Sequence, residues 1–111
     1  MAYHGTFTET GERSSVISEE DATQLASVMK ILASPSRLRL LCALRRGEQT
    51  VGSLCDELDF TQAYVSQQLA RLREARLLDS RRDGRRVFYS VADRRVLEVM
   101  EAMGRAYGVM A

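Results

Sequence analysis

Between Thr61 and Gln67 the chain reads TQAYVSQ, a run of side chains that hydrogen-bond without carrying charge. Glutamine amides pair bidentately with the N6/N7 edge of adenine, and serine serves either donor or acceptor sites on a base. Gln62, Ser66 and Gln67 are therefore the candidate base readers. Tyr64 beside them suits a thymine methyl or a phosphate, and Thr61, at a helix start, suits a phosphate through its hydroxyl and backbone N–H. A few residues on, RRDGRR places Arg81, Arg82, Arg85 and Arg86 around an Asp-Gly turn. Guanidinium groups there can hold phosphates or enter a narrow minor groove. Strand alternation turns one of each pair away, so two or three of the four are expected to reach DNA. Arg71 can add a contact from the helix, or pair with a neighbouring acid.

These residues need a helix and a hairpin to hold them. Val65, Leu69 and Leu72 recur at i, i+4 and i+7, which lays one stripe against a core and turns the amide-rich face outward. Gln68 points partly inward and braces the helix. After Leu77 the pattern switches to strands around Asp83-Gly84, the strongest short hairpin signal, with Val87, Tyr89 and Val91 on one face and Phe88 and Ser90 on the other.

Upstream, Ser18 reads as an N-cap followed by Glu19, Glu20 and Asp21. The first helix carries Leu25, Val28, Met29 and Leu32 as its apolar stripe. Ser34-Pro35 stops it and starts a second helix, with serine as cap and proline at N1. Leu38, Leu41 and Leu44 are its expected inward residues, and Gly47 its end. Thr50 caps a short third helix, VGSLCDEL, and Asp59-Phe60 connects it tightly to Thr61. Two helices joined so closely, the second longer and polar-faced, make a helix-turn-helix. Asp93 is the expected cap of a last helix running to about Met110. Its apolar positions, Val96, Met100, Met103, Tyr107 and Met110, follow a 4-3-4-3 spacing that suits a partner helix along its length. With Leu25, Val28 and Met29, these residues (Val96, Met100, Met103 and Tyr107 foremost) are the candidate homodimer contacts. The alternative is an ordinary core stripe on a terminal helix.

Composition narrows the class. One domain is expected, over residues 18–111, behind a polar tail at 1–17. Net charge is only +1, yet between Thr61 and Arg95 nine arginines face four acids, and local excess is what matters to a polyanion. No signal peptide and no membrane-spanning run is evident. With Cys42 and Cys55 inside helices, a cytoplasmic protein with reduced thiols and no membrane partner is the expectation. No nucleophile–base pair, carboxylate dyad or phosphate loop is present, so an enzyme is not expected.

The stretches ASPSRLRLL, TQAYVSQQLARLREARLL and RRDGRRVFYSV, in that order, resemble the ArsR/SmtB family of winged-helix repressors over about residues 20–108. The resemblance implies an α+β, mostly α winged helix-turn-helix of about five helices and one hairpin wing. It also implies a homodimer on a double-stranded, inverted-repeat DNA operator, released by an effector. A winged helix used only as a protein-interaction module is the alternative. The metal-sensing patterns of the family are broken here. Thr50-Val51-Gly52 replaces a CVC-type run, only Asp93 remains of the last-helix ligand set, and Arg95 and Ala106 occupy histidine-like positions. His4, the single histidine, lies in the tail. No metal and no cofactor is expected. Cys42 falls where thiol-sensing members carry a cysteine, but Gly108 stands where their second thiol would be. Cys42 is thus either a one-thiol sensor or a small core residue, and the effector is unknown.

Overall fold

The computed structural model describes residues 16–109, in two units divided after Leu32. His4, Met110 and all but the last two residues of the expected tail lie outside this range. In the first unit α1 spans Glu19–Leu32. Ser18 caps it as expected: the Asp21 N–H donates to Ser18 Oγ at 3.1 Å, and three acids fill the first turn, where the helix dipole favours them.

The second unit carries α2 (Pro35–Leu44), β1 (Gln49–Thr50), α3 (Val51–Leu58), α4 (Gln62–Glu74), β2 (Leu78–Asp83), β3 (Arg86–Val91) and α5 (Arg95–Ala106). Ser34 Oγ accepts from the Arg37 N–H ahead of Pro35, Thr50 Oγ1 from Ser53 and Thr61 Oγ1 from Tyr64. Each cap satisfies a donor that the first helical turn leaves open. The core is leucine-rich: Leu40, Leu41 and Leu44 of α2 pack with Leu54 of α3, Val65, Leu69 and Leu72 of α4, and Leu78 of β2. Leu40 takes the place expected for Leu38, which is only half-buried. In α2 the inward stripe is wide enough to take adjacent positions, so a single i, i+3, i+6 series misses half of it.

The connection from α3 to α4 turns on Asp59, which adopts the left-handed conformation (φ 57°, ψ 47°). The Phe60 N–H then reaches back to the Cys55 carbonyl at 3.3 Å, a Schellman closure that ends α3 and aims α4. Arg76 repeats this device after α4, with φ 63° and a 3.0 Å bond from Leu77 N–H to the Leu72 carbonyl.

Three differences from expectation concern the strands and α5. The sheet has three antiparallel strands in the order β1-β3-β2, with Gln49 opposite Tyr89 and Thr50 opposite Phe88. A two-residue strand leaves no alternation to detect. The wing closes on the pair Asp83 and Arg86, so Gly84 and Arg85 form the loop. Gly84 has φ +63° and Arg85 does not share the positive value, the II′ arrangement with glycine first. Lastly, α5 ends at Ala106, and its N-cap position is Arg94, without a side-chain cap bond. Asp93 still serves the helix start, since its Oδ1 accepts from the Arg95 N–H at 3.1 Å.

Candidate nucleic-acid interface

Helix α4 separates its two faces cleanly. Val65, Leu69 and Leu72 are fully buried, while Thr61, Gln62, Ala63, Ser66, Gln67, Ala70, Arg71 and Arg73 are exposed. The outward amides and hydroxyls therefore meet solvent as a group. Thr61 Oγ1 spends a lone pair on the Tyr64 N–H, which leaves its hydroxyl proton to donate outward. Neither Arg71 nor Arg73 forms an ion pair among the described residues. Gln68 is the exception on the helix: it is 6% exposed, and its Oε1 accepts from the Arg37 guanidinium at 3.4 Å.

Tyr64 is turned along the protein surface. Its hydroxyl donates to Ser36 Oγ at 2.7 Å, and its ring meets Phe60 edge-on at 5.3 Å. The Arg39 guanidinium lies over Phe60 at 5.0 Å. This chain of contacts ties α4 to the first turn of α2. Ser36, Phe60 and Arg39 were not among the sequence candidates, because only the helix-turn-helix closure brings them to Tyr64.

The wing divides its arginines by face. Register places Arg81 opposite Phe88 and Arg82 opposite Val87, so pleating sends these two to opposite sides. Arg81 crosses the Phe88 ring, 4.5 Å from its centroid, to meet Glu48. Its Nε donates to both carboxylate oxygens, at 2.8 and 3.1 Å, and its Nη2 donates to Glu48 Oε1. These hydrogen bonds hold the Glu48 carboxyl below the usual carboxylate range. Arg81, one of the four tip arginines of which two or three are expected to reach DNA, is thus paired with Glu48. Arg86 lies 5.7 Å from the Phe88 ring on the same face. Arg82 and Arg85 make no ion pair among the described residues.

The expected dimer contacts divide as well. In α1, Leu25 and Met29 are exposed and Val28 is half-buried, with Met29 at 67%. In α5, Val96 and Met100 are each 2% exposed within the single chain, which corrects their assignment as interface residues: the first half of the seam is core. Its second half faces outward, with Met103 exposed and Tyr107 at 81%. A 3.5-residue stripe does not distinguish a partner chain from the chain's own interior.

Cys42 and Cys55 are half-buried free thiols. Cys42 lines an apolar groove of about 390 Å³ with Leu38, Met100, Met103 and Tyr107. Cys42 and Arg39 also line a second groove, with Arg45, Arg46 and Glu57, the last paired with Arg46 at 3.3 Å. No three His, Cys, Asp or Glu side chains converge on a metal-sized site among the described residues. None of the described helices is long and apolar enough to cross a membrane.

A helix-turn-helix with an exposed, hydrogen-bonding second helix and an arginine-rich hairpin defines a winged-helix protein of the DNA-binding class. The family model for bacterial regulatory proteins of the arsR family matches residues 34–80. The biofilm growth-associated repressor of Agrobacterium fabrum is 44% identical over 85 residues, spanning 77% of this chain and 73% of that protein. Among solved structures, the transcriptional repressor BigR from Xylella fastidiosa is similar at TM-score 0.76 and 32% identity, over 80% of this chain and 91% of that one. HlyU from Vibrio cholerae matches at TM-score 0.74 and 32% identity, over 81% and 98%. The chain belongs to the ArsR family of winged-helix transcriptional regulators. The Agrobacterium relative is named a repressor, and HlyU of Vibrio cholerae a transcriptional activator.

Proposed function

We propose that the protein is a repressor that binds an inverted-repeat operator as a homodimer, each α4 entering a major groove and each wing lying on flanking DNA. The observation that carries this is the exposed face of the first half of α4, uncharged and hydrogen-bonding from Thr61 to Gln67, beside a hairpin with arginines at its tip. Gln62, Ser66 and Gln67 are the base readers. Thr61, Arg71, Arg82, Arg85 and Arg86 hold phosphate or minor groove, and Tyr64 sets the pitch of the helix through Ser36 more than it touches bases. Repression follows the names of BigR and the Agrobacterium relative, although HlyU is named an activator. The effector acts at the Cys42 thiol. Supporting this, Cys42 lines two grooves, one apolar and one with Arg39, Arg45, Arg46 and Glu57, a setting that admits a small oxidant or sulfur donor.

Fluorescence anisotropy on the protein's own promoter fragment tests both parts. Wild type is expected to bind at about 10 nM or tighter, with log K falling steeply against log salt as several counterions are released. Oxidant or persulfide donor releases wild type but not Cys42→Ser. A flat salt plot removes the phosphate clamp, and identical release of both proteins removes thiol sensing.

A further inference from the structure

Arg81 is anchored by the residue just before β1, the short strand that pairs with β3 on the side away from β2. Glu48 precedes β1, and the neighbouring Gln49 is itself held on three sides. Its Nε2 donates to the Ala43 carbonyl at 2.8 Å and to Glu57 Oε1 at 3.3 Å, while its Oε1 accepts from Ser53 Oγ at 2.7 Å. Glu48 thus projects from a fixed base. Arg81 reaches it from β2, across the intervening β3, with Phe88 beneath the guanidinium. Bidentate carboxylate pairing uses the same fork of donors that a phosphate would use. Were Arg81 to leave for a phosphate, the Glu48 carboxylate would be left unpaired beside a polyanion.

We infer that Glu48 is a positioning residue for the wing. It fills the phosphate-binding fork of Arg81, so that Arg81 enters the DNA complex as a neutral strap holding the hairpin. The phosphate charge of the wing is then carried by Arg82, Arg85 and Arg86. The arrangement limits sequence-independent attraction, which grows with every phosphate neutralised, and leaves a larger share of the binding free energy to the base-reading face of α4. The inference rests on the DNA-binding reading above.

Salt-dependent binding to the promoter fragment tests it. Glu48→Gln frees one cation per protomer, and the slope of log K against log salt is expected to steepen by about 0.9 per protomer, with tighter binding at low salt. The double variant Glu48→Gln/Arg81→Gln returns the slope to that of wild type. An unchanged or shallower slope in Glu48→Gln overturns the inference, as does a double variant that keeps the gain. Should Glu48→Gln fold poorly, the Arg81 Nε–H resonance of wild type decides the matter. It stays in place on DNA addition if Arg81 remains on Glu48, and it moves if Arg81 transfers to phosphate. Wild type that binds no promoter DNA at any salt removes the DNA-binding reading and this inference with it. Binding with an unmoved slope in Glu48→Gln removes the inference alone.

Discussion

Gln67 faces solvent from α4, while Gln68, about 100° further round the helix, is buried against Arg37. Two identical side chains therefore face opposite tests. Gln67→Ala is expected to leave stability within about 0.5 kcal/mol, as for other exposed positions. It lowers operator affinity by about 1–3 kcal/mol and relaxes the base preference at one position. Gln68→Ala instead removes a buried hydrogen-bonding partner, a loss of about 1–3 kcal/mol of folding stability. Urea unfolding and anisotropy on the same proteins separate the two. The helical period shows this division in the sequence alone, because Val65, Leu69 and Leu72 fix which way α4 faces. It cannot show what Tyr64 does, since Ser36 lies 28 positions away and becomes a neighbour only when the turn at Asp59 closes.

At the scale of elements, the joints are held by ion pairs at the ends of strands and helices. Glu48 with Arg81 joins β1 to the wing, and Asp93 with Arg95 opens α5. Both carboxyls are held below their ordinary values of 4.5 and 3.8, chiefly by hydrogen bonds from these arginines. A carboxyl with a lowered folded-state value binds its proton more readily in the unfolded chain, so its contribution is complete above the ordinary value. It is lost as pH falls through the lower folded one. Stability should therefore be level from pH 6 to 8 as far as these two groups are concerned, and decline below about pH 4. Glu48→Gln and Asp93→Asn should each flatten the acid limb of the urea midpoint against pH, leaving the neutral region unchanged in slope. A wild-type limb retained in both variants would mean that the pairs do not couple to folding. Neither joint is legible in the sequence. Asp93 and Arg95 look like a cap and a helical residue, and Glu48 has no visible partner until the two-residue β1 sets it alongside β3. The wing itself was readable from DG, but its loop is Gly84-Arg85, because a single positive φ at glycine suffices for a II′ turn.

For the whole molecule, the proposed reading of two half-sites requires a second copy of this chain. The exposed apolar residues that invite a second copy are Leu25 and Met29 on α1, and Met103, Tyr107 and Val109 at the end of α5. Val96 and Met100 serve the interior of the same chain, which is why the 4-3-4-3 spacing reads as a partner seam in sequence and proves to be half core. This split gives a clean test of the proposed homodimer. Tyr107→Glu and Met103→Glu place charge on exposed positions, where folding is little affected but an apolar contact between copies is broken. Sedimentation should show a monomer with unchanged helical circular dichroism, whereas a charge at Val96 should unfold the chain. The monomer loses the advantage of tethered second-site binding, about 100-fold or more at a fixed protomer concentration. It should also release about half as many counterions, halving the salt slope. A folded monomer that keeps wild-type affinity and slope would mean that each α4 and wing reads DNA alone. A variant that stays dimeric would place the contact between copies elsewhere than the end of α5.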